Sequence, residues 1–132
     1  MTVVGASLRN RTAVARWLAP RVVGGATVAL VPAGERWPDG SLRPALEDLW
    51  GAGAVLAALD LHGVRMSPEA EHAAASYASV AGDLTRHLES CASGRELAAV
   101  GYAADVAAAA DIDADAVVPV LTDDGFVAAP AS

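Results

Sequence analysis

Lysine is missing from this chain of 132 residues: all nine cationic side chains are arginine. A Walker-type phosphate loop needs a lysine after its glycines, so that motif is excluded. What remains is a set of planar, bidentate donors suited to phosphate and carboxylate. Cysteine occurs once, at Cys91, so no internal disulfide can form, and a reducing cytoplasm is the expected setting. No apolar run approaches the ~18 residues that a membrane-spanning helix requires. The opening Met1-Thr2-Val3-Val4-Gly5 has no basic stretch leading into an apolar one, so a secretory leader is not expected. Positive charge is scarce as well, and a net charge of −7 argues against general nucleic-acid binding. Catalytic signatures are few. The chain has no GxSxG elbow and no GxGxxG loop, and His62, His72 and His87 lack the paired spacing of a metal site. Asp111-Ile112-Asp113-Ala114-Asp115 opens like a calcium loop, but Ala116 and Thr122 stand where Gly and Glu are required.

Apolar residues, by contrast, make up 54% of the chain, enough for one domain over residues 1–132 with its own core. Thr2 to Ala6 reads as a short buried strand. Ser7 to Ala19 reads as a helix closed by Pro20. Ala26 to Val31, apolar but for Thr27, suits a central parallel strand covered on both faces. Pro32 to Gly40 is a loop. Ser41 is expected to cap a helix with Pro44 in its first turn, whose buried face runs Leu42, Leu46, Leu49, Gly53, Leu56. His62-Gly63 closes this unit. Ser67-Pro68 opens another helix, with a break at Gly82-Asp83. Short helices follow over Ser93 to Val100 and Tyr102 to Ala110. Ala116 to Leu121 and Phe126 to Ala128 form a hairpin around Asp124-Gly125, before a frayed tail from Pro130. The order implies an α/β layered domain.

The stretch richest in chemistry runs from Gly34 to Asp48, directly after the second strand. Ligands of open α/β sheets bind beyond the carboxyl ends of strands, which is where Glu35 and Arg36 fall. Arg43 and Glu47 are four apart on the expected helix and share a face, with Asp48 adjacent. Carboxylate oxygens suit Mg²⁺ and guanidinium groups suit phosphate. The plain alternative is a surface pair worth about 0.3–0.5 kcal/mol. Ser93-Gly94-Arg95-Glu96 fits a capping box, and such a helix start can also hold an anion. Cys91 lies on an apolar stripe and reads as a buried, inert thiol. Arg9-Asn10-Arg11 follows a strand and offers either a phosphate-facing turn or a solvated helix face. Trp17 and Trp50 read as core, whereas Trp37 sits in the candidate site loop.

Taken together these segments resemble the 2-phosphosulpholactate phosphatases. The matching runs are Leu8-Arg9-Asn10 with Ala13-Val14-Ala15, then Pro32-Ala33-Gly34-Glu35-Arg36-Trp37. Gly40-Ser41-Leu42-Arg43-Pro44-Ala45-Leu46-Glu47-Asp48 follows, with Gly51-Ala52-Gly53-Ala54 and Ser93-Gly94-Arg95-Glu96-Leu97. Gly101, Asp105-Val106, Ala109, Asp111 and Val118-Pro119 complete the series in order. The resemblance implies a three-layer α/β/α fold with a mostly parallel or mixed sheet, and Mg²⁺-dependent hydrolysis of the phosphate ester of a small sulfonated or carboxylated hydroxy acid. It makes Glu35, Glu47 and Asp48 candidate catalytic and metal-binding residues. It makes Arg9, Arg36, Arg43, Ser93 and Arg95 candidate ligands of a small anionic substrate. Members of this family are roughly twice as long and open on an Asp-Val-Leu-Arg-like strand that has no counterpart here. A shortened chain with unpaired strand edges is therefore expected, and with it self-association. The alternative function is a non-catalytic anion-binding or assembly module.

Overall fold

The computed structural model describes residues 1–129, so the expected frayed tail from Pro130 lies outside the described residues. A 3-10 turn (Leu8–Asn10) leads into α1 (Arg11–Val23). Two short strands, β1 (Glu35–Arg36) and β2 (Leu42–Arg43), precede the central helices α2 (Leu46–Asp60) and α3 (Pro68–Val80). A second 3-10 turn (Ala81–Asp83) joins α3 to α4 (Leu84–Ser90), which is followed by α5 (Ala92–Ala99) and α6 (Ala103–Ala109). The described chain ends in β3 (Pro119–Thr122) and β4 (Gly125–Ala128). Both sheets are two-stranded and antiparallel, so the fold is mixed α/β.

α2 organises the core because it is apolar on nearly every side. Its Trp50 and Ala54 join Leu8, Tyr77, Val80, Leu84, Leu88 and Val106 in one cluster. Its Val55, Ala58 and Leu59 join Val14, Ala15, Leu18 and Val118 in another. α3 starts as its sequence suggests: the Ser67 hydroxyl accepts from the Ala70 N–H at 3.3 Å, and Pro68 occupies the first helical position. The expected break at Gly82-Asp83 is the second 3-10 turn. Buried Asn10 ties the start of the chain to its end. Its Oδ1 accepts from the Ser7 N–H at 2.8 Å, and its amide nitrogen donates to the Val117 carbonyl at 3.1 Å.

Several expected elements are corrected. Pro20 does not end α1, which continues to Val23 and stops at Gly24-Gly25, where Gly25 takes φ +96°. Thr2 to Ala6 is not a buried strand. Val4 alone bridges to Val120, antiparallel, and Thr2 and Val3 are exposed. Ala26 to Val31 is not a doubly covered parallel strand. Val28 and Leu30 rest on the second cluster while Val31 is 81% exposed, and no described strand pairs with the run. One covered face and no partner explain the difference. The helix expected from Ser41 begins only at Leu46, with Ala45 as its cap residue. Pro44 restricts Arg43 to extended backbone, and Arg43 pairs with Glu35 as a strand residue instead. Leu42 and Leu46 are consequently exposed, and the buried face of α2 starts at Trp50.

Candidate functional site

β1 and β2 form a small hairpin whose register sets Glu35 opposite Arg43. The Arg43 guanidinium ties this hairpin to α5. Its two terminal nitrogens donate to the two carboxylate oxygens of Glu96 on α5, at 2.7 and 2.8 Å. Its carbon lies 5.3 Å from the centroid of the Trp37 ring. Its hydrogen bond to Glu96, and then the negative charges of Glu96, Glu35 and Glu47, hold its pKa above the usual arginine value against the opposing effect of burial. The same bond holds the Glu96 carboxyl below the usual carboxylate range.

Arg43 forms one wall of a hollow of about 200 Å³ that also contacts Leu46, Glu47, Cys91 and Ser93. Cys91 closes the far side. Its thiol reaches the Leu88 carbonyl at 3.1 Å and a Glu47 carboxylate oxygen at 3.6 Å, and its sulfur accepts from the Gly94 N–H at 3.5 Å. Burial pushes the Cys91 thiol up, which fits the inert thiol read from the apolar stripe. A wider, open hollow of about 490 Å³ lies by Asp60, Arg65 and Glu71. None of its lining residues belongs to the motifs singled out in the sequence, so the smaller hollow is the candidate site.

The expected capping box at the start of α5 is corrected. Cys91, in extended backbone, is the cap residue, and Ser93 is already inside the helix. Glu96 is thereby released from the helix start and reaches across to Arg43. Glu47 likewise does not pair with Arg43 along one helix face, because Arg43 lies in β2 and Glu47 in the first turn of α2. Both nevertheless border the same hollow.

The remaining candidates separate. Asp48 accepts the Gly34 N–H at 2.6 Å and anchors the loop that carries β1. Arg36 donates to the Gly40 carbonyl at 3.0 Å, within the same hairpin. Arg95 is exposed on α5 next to Glu96. Arg9 turns away to a different cluster: it donates to Asp115 at 2.8 Å and to the Ala108 carbonyl at 2.7 Å. Its neighbour Arg11 pairs with Asp113 at 3.1 Å. The acidic run rejected as a calcium loop is therefore a structural partner of the first helix. Among the described residues no three His, Cys, Asp or Glu side chains converge into a metal cage. Glu96 is the functional candidate that sequence reasoning passed over. Its signal is its place in the Ser93–Leu97 run, where a capping box offers it a nearer task.

Comparison with protein families supplies the assignment. The family model described as 2-phosphosulpholactate phosphatase matches residues 1–124. This chain belongs to that family. The match spans both the β1–β2 hairpin and α5, so the Arg43 hollow lies wholly within the phosphosulpholactate phosphatase segment. No individual curated protein matches the chain. No described helix is long and apolar enough to cross a membrane.

Proposed function

We propose that this chain binds the phosphate ester of a small sulfonated or carboxylated hydroxy acid in the Arg43 hollow and hydrolyses it. The observation that carries the reading is the setting of Arg43. A guanidinium stacked near Trp37 faces a hollow bordered by Ser93 and the first turn of α5. A planar fork, a hydroxyl and the positive end of a helix are suited together to a multivalent oxyanion. Arg43 orients the phosphoryl group and offsets its charge, Ser93 donates a hydrogen bond, and exposed Arg95 draws the anion in.

Mg²⁺ belongs to the same proposal. This ion commonly takes one or two carboxylates and completes its shell with water and substrate phosphate. Glu35 and Glu47, whose charges both act on Arg43, are the residues that would hold it. Bound there, it would polarise a phosphoryl oxygen. Asp48 would support the site by fixing Gly34. We also read the half-covered run 26–31 as one strand position of an α/β/α layered sheet, an edge that favours self-association. The single, half-buried thiol suits a reducing, cytoplasmic setting.

One observation favours a second reading. Arg43 is already paired and no cage of three metal ligands converges among the described residues, as in an anion-binding module without hydrolysis. Phosphate release from an aryl phosphate with Mg²⁺, with and without chelator, separates the two. The phosphatase reading expects release that the chelator stops and that Glu35→Ala or Glu47→Ala abolishes. Normal turnover by both variants would remove these residues from the site. Phosphate binding without any release would leave the second reading standing.

A further inference from the structure

We infer that Glu96 is a built-in competitor for the anion at Arg43: its carboxylate occupies the Nη1/Nη2 fork and must swing away before an oxyanion can take that edge. This rests on the reading of Arg43 as the anion ligand and adds how that ligand is guarded. The two parallel hydrogen bonds, at 2.7 and 2.8 Å, form the bidentate arrangement that an incoming phosphate or carboxylate would itself adopt. One guanidinium edge cannot serve both at once.

The two partners differ in freedom. The Arg43 side chain is 17% exposed, with its backbone held in the β1–β2 pairing and Trp37 near its guanidinium. The Glu96 side chain is 59% exposed and makes no other side-chain hydrogen bond among the described residues. Its carboxylate can turn into water at little cost, so Glu96 is the partner that moves. Glu35 and Glu47 stay beside Arg43 when it leaves, so the site keeps its carboxylates and frees only the fork.

Direct competition has a signature that a mere field effect lacks. A competitor lowers the affinity of every ligand at Arg43 by the same factor. A nearby negative charge instead repels a dianion more than a monoanion. The experiment follows the Arg43 guanidinium signals by NMR during titration with sulfate and, separately, with acetate. The wild-type chain is compared with Glu96→Gln and Glu96→Ala, and a thermal melt confirms that each variant is folded. The expected result is a gain of roughly threefold to tenfold in both variants, alike for the two anions. Arg43→Gln combined with Glu96→Gln should lose the gain. No gain, or a gain clearly larger for sulfate than for acetate, overturns the inference. The phosphatase reading fails separately, when Glu96→Gln binds sulfate yet releases no phosphate from an ester.

Discussion

Gly53 of α2 faces the backbone carbonyl of Ala73 on α3 so closely that a methyl group at position 53 would collide with it. The same methyl would lie 2.8 Å from Cβ of Tyr77. This approach lets the two central helices share one apolar seam. Gly53→Ala should therefore destabilise the fold by about 2 kcal/mol, as overpacking in a tight core does. Gly51, two residues earlier on a different face of α2, has nothing within 4 Å of a built Cβ. Gly51→Ala should be neutral or stabilising by up to about 1 kcal/mol, since alanine is the better helix former. Urea denaturation of the two variants checks both expectations.

Asp113 caps the first helix from across the molecule. It accepts from the Thr12 N–H at 2.9 Å and from the Thr12 hydroxyl at 2.8 Å, and it pairs with Arg11. Burial alone would raise its pKa, but the Thr12 bonds and the Arg11 guanidinium outweigh that and hold it below the usual carboxylate range. A depressed carboxylate stabilises the fold above its unfolded pKa, and that contribution is lost as pH falls through its folded value. Asp113→Asn should thus cost about 1 kcal/mol near neutrality, because the amide keeps an acceptor for the Thr12 N–H but loses the charge-assisted bond from Arg11. The difference from wild type should shrink below about pH 4 as the wild-type carboxyl takes up its proton. Stability curves measured across pH test this.

The run from Thr27 to Ala33 makes no backbone hydrogen bond among the described residues, whereas the Leu121 N–H donates to Val3 at 2.9 Å and lies in a paired hairpin. Amide exchange should therefore be fast from Thr27 to Val31 and slow at Leu121. Slow exchange at Val28 and Leu30 would show that another strand covers this edge in solution.

Local signals were the legible ones. Ser67-Pro68 marks the start of α3 and Gly82-Asp83 the break before α4; the hairpin expected around Asp124-Gly125 forms one residue earlier, around Asp123-Asp124, with Gly125 already in β4 and paired with Thr122. Each depends on neighbours within a few residues. The Glu35 loop and the Arg43 to Glu47 run were recognised as the candidate site because their residue types are unusual there. What stayed hidden is long-range. The Arg43–Glu96 bond spans 53 positions, and a capping box offered Glu96 a nearer task. Cys91 takes the cap, which no propensity favours, at a tight α4–α5 corner where a Cβ at Gly94 would collide with the Leu88 carbonyl. Leu42 and Leu46 continued the apolar period into residues that Pro44 keeps out of the helix.

The site itself comes down to whether Arg43 handles a phosphate ester. Phosphorus NMR can watch a phosphomonoester of a small hydroxy acid, incubated with Mg²⁺ and either the wild-type chain or Arg43→Gln. An inorganic phosphate signal should grow with wild type, and at least about a hundredfold more slowly with the variant, as for loss of a charged transition-state ligand. Equal rates from the two proteins would contradict it.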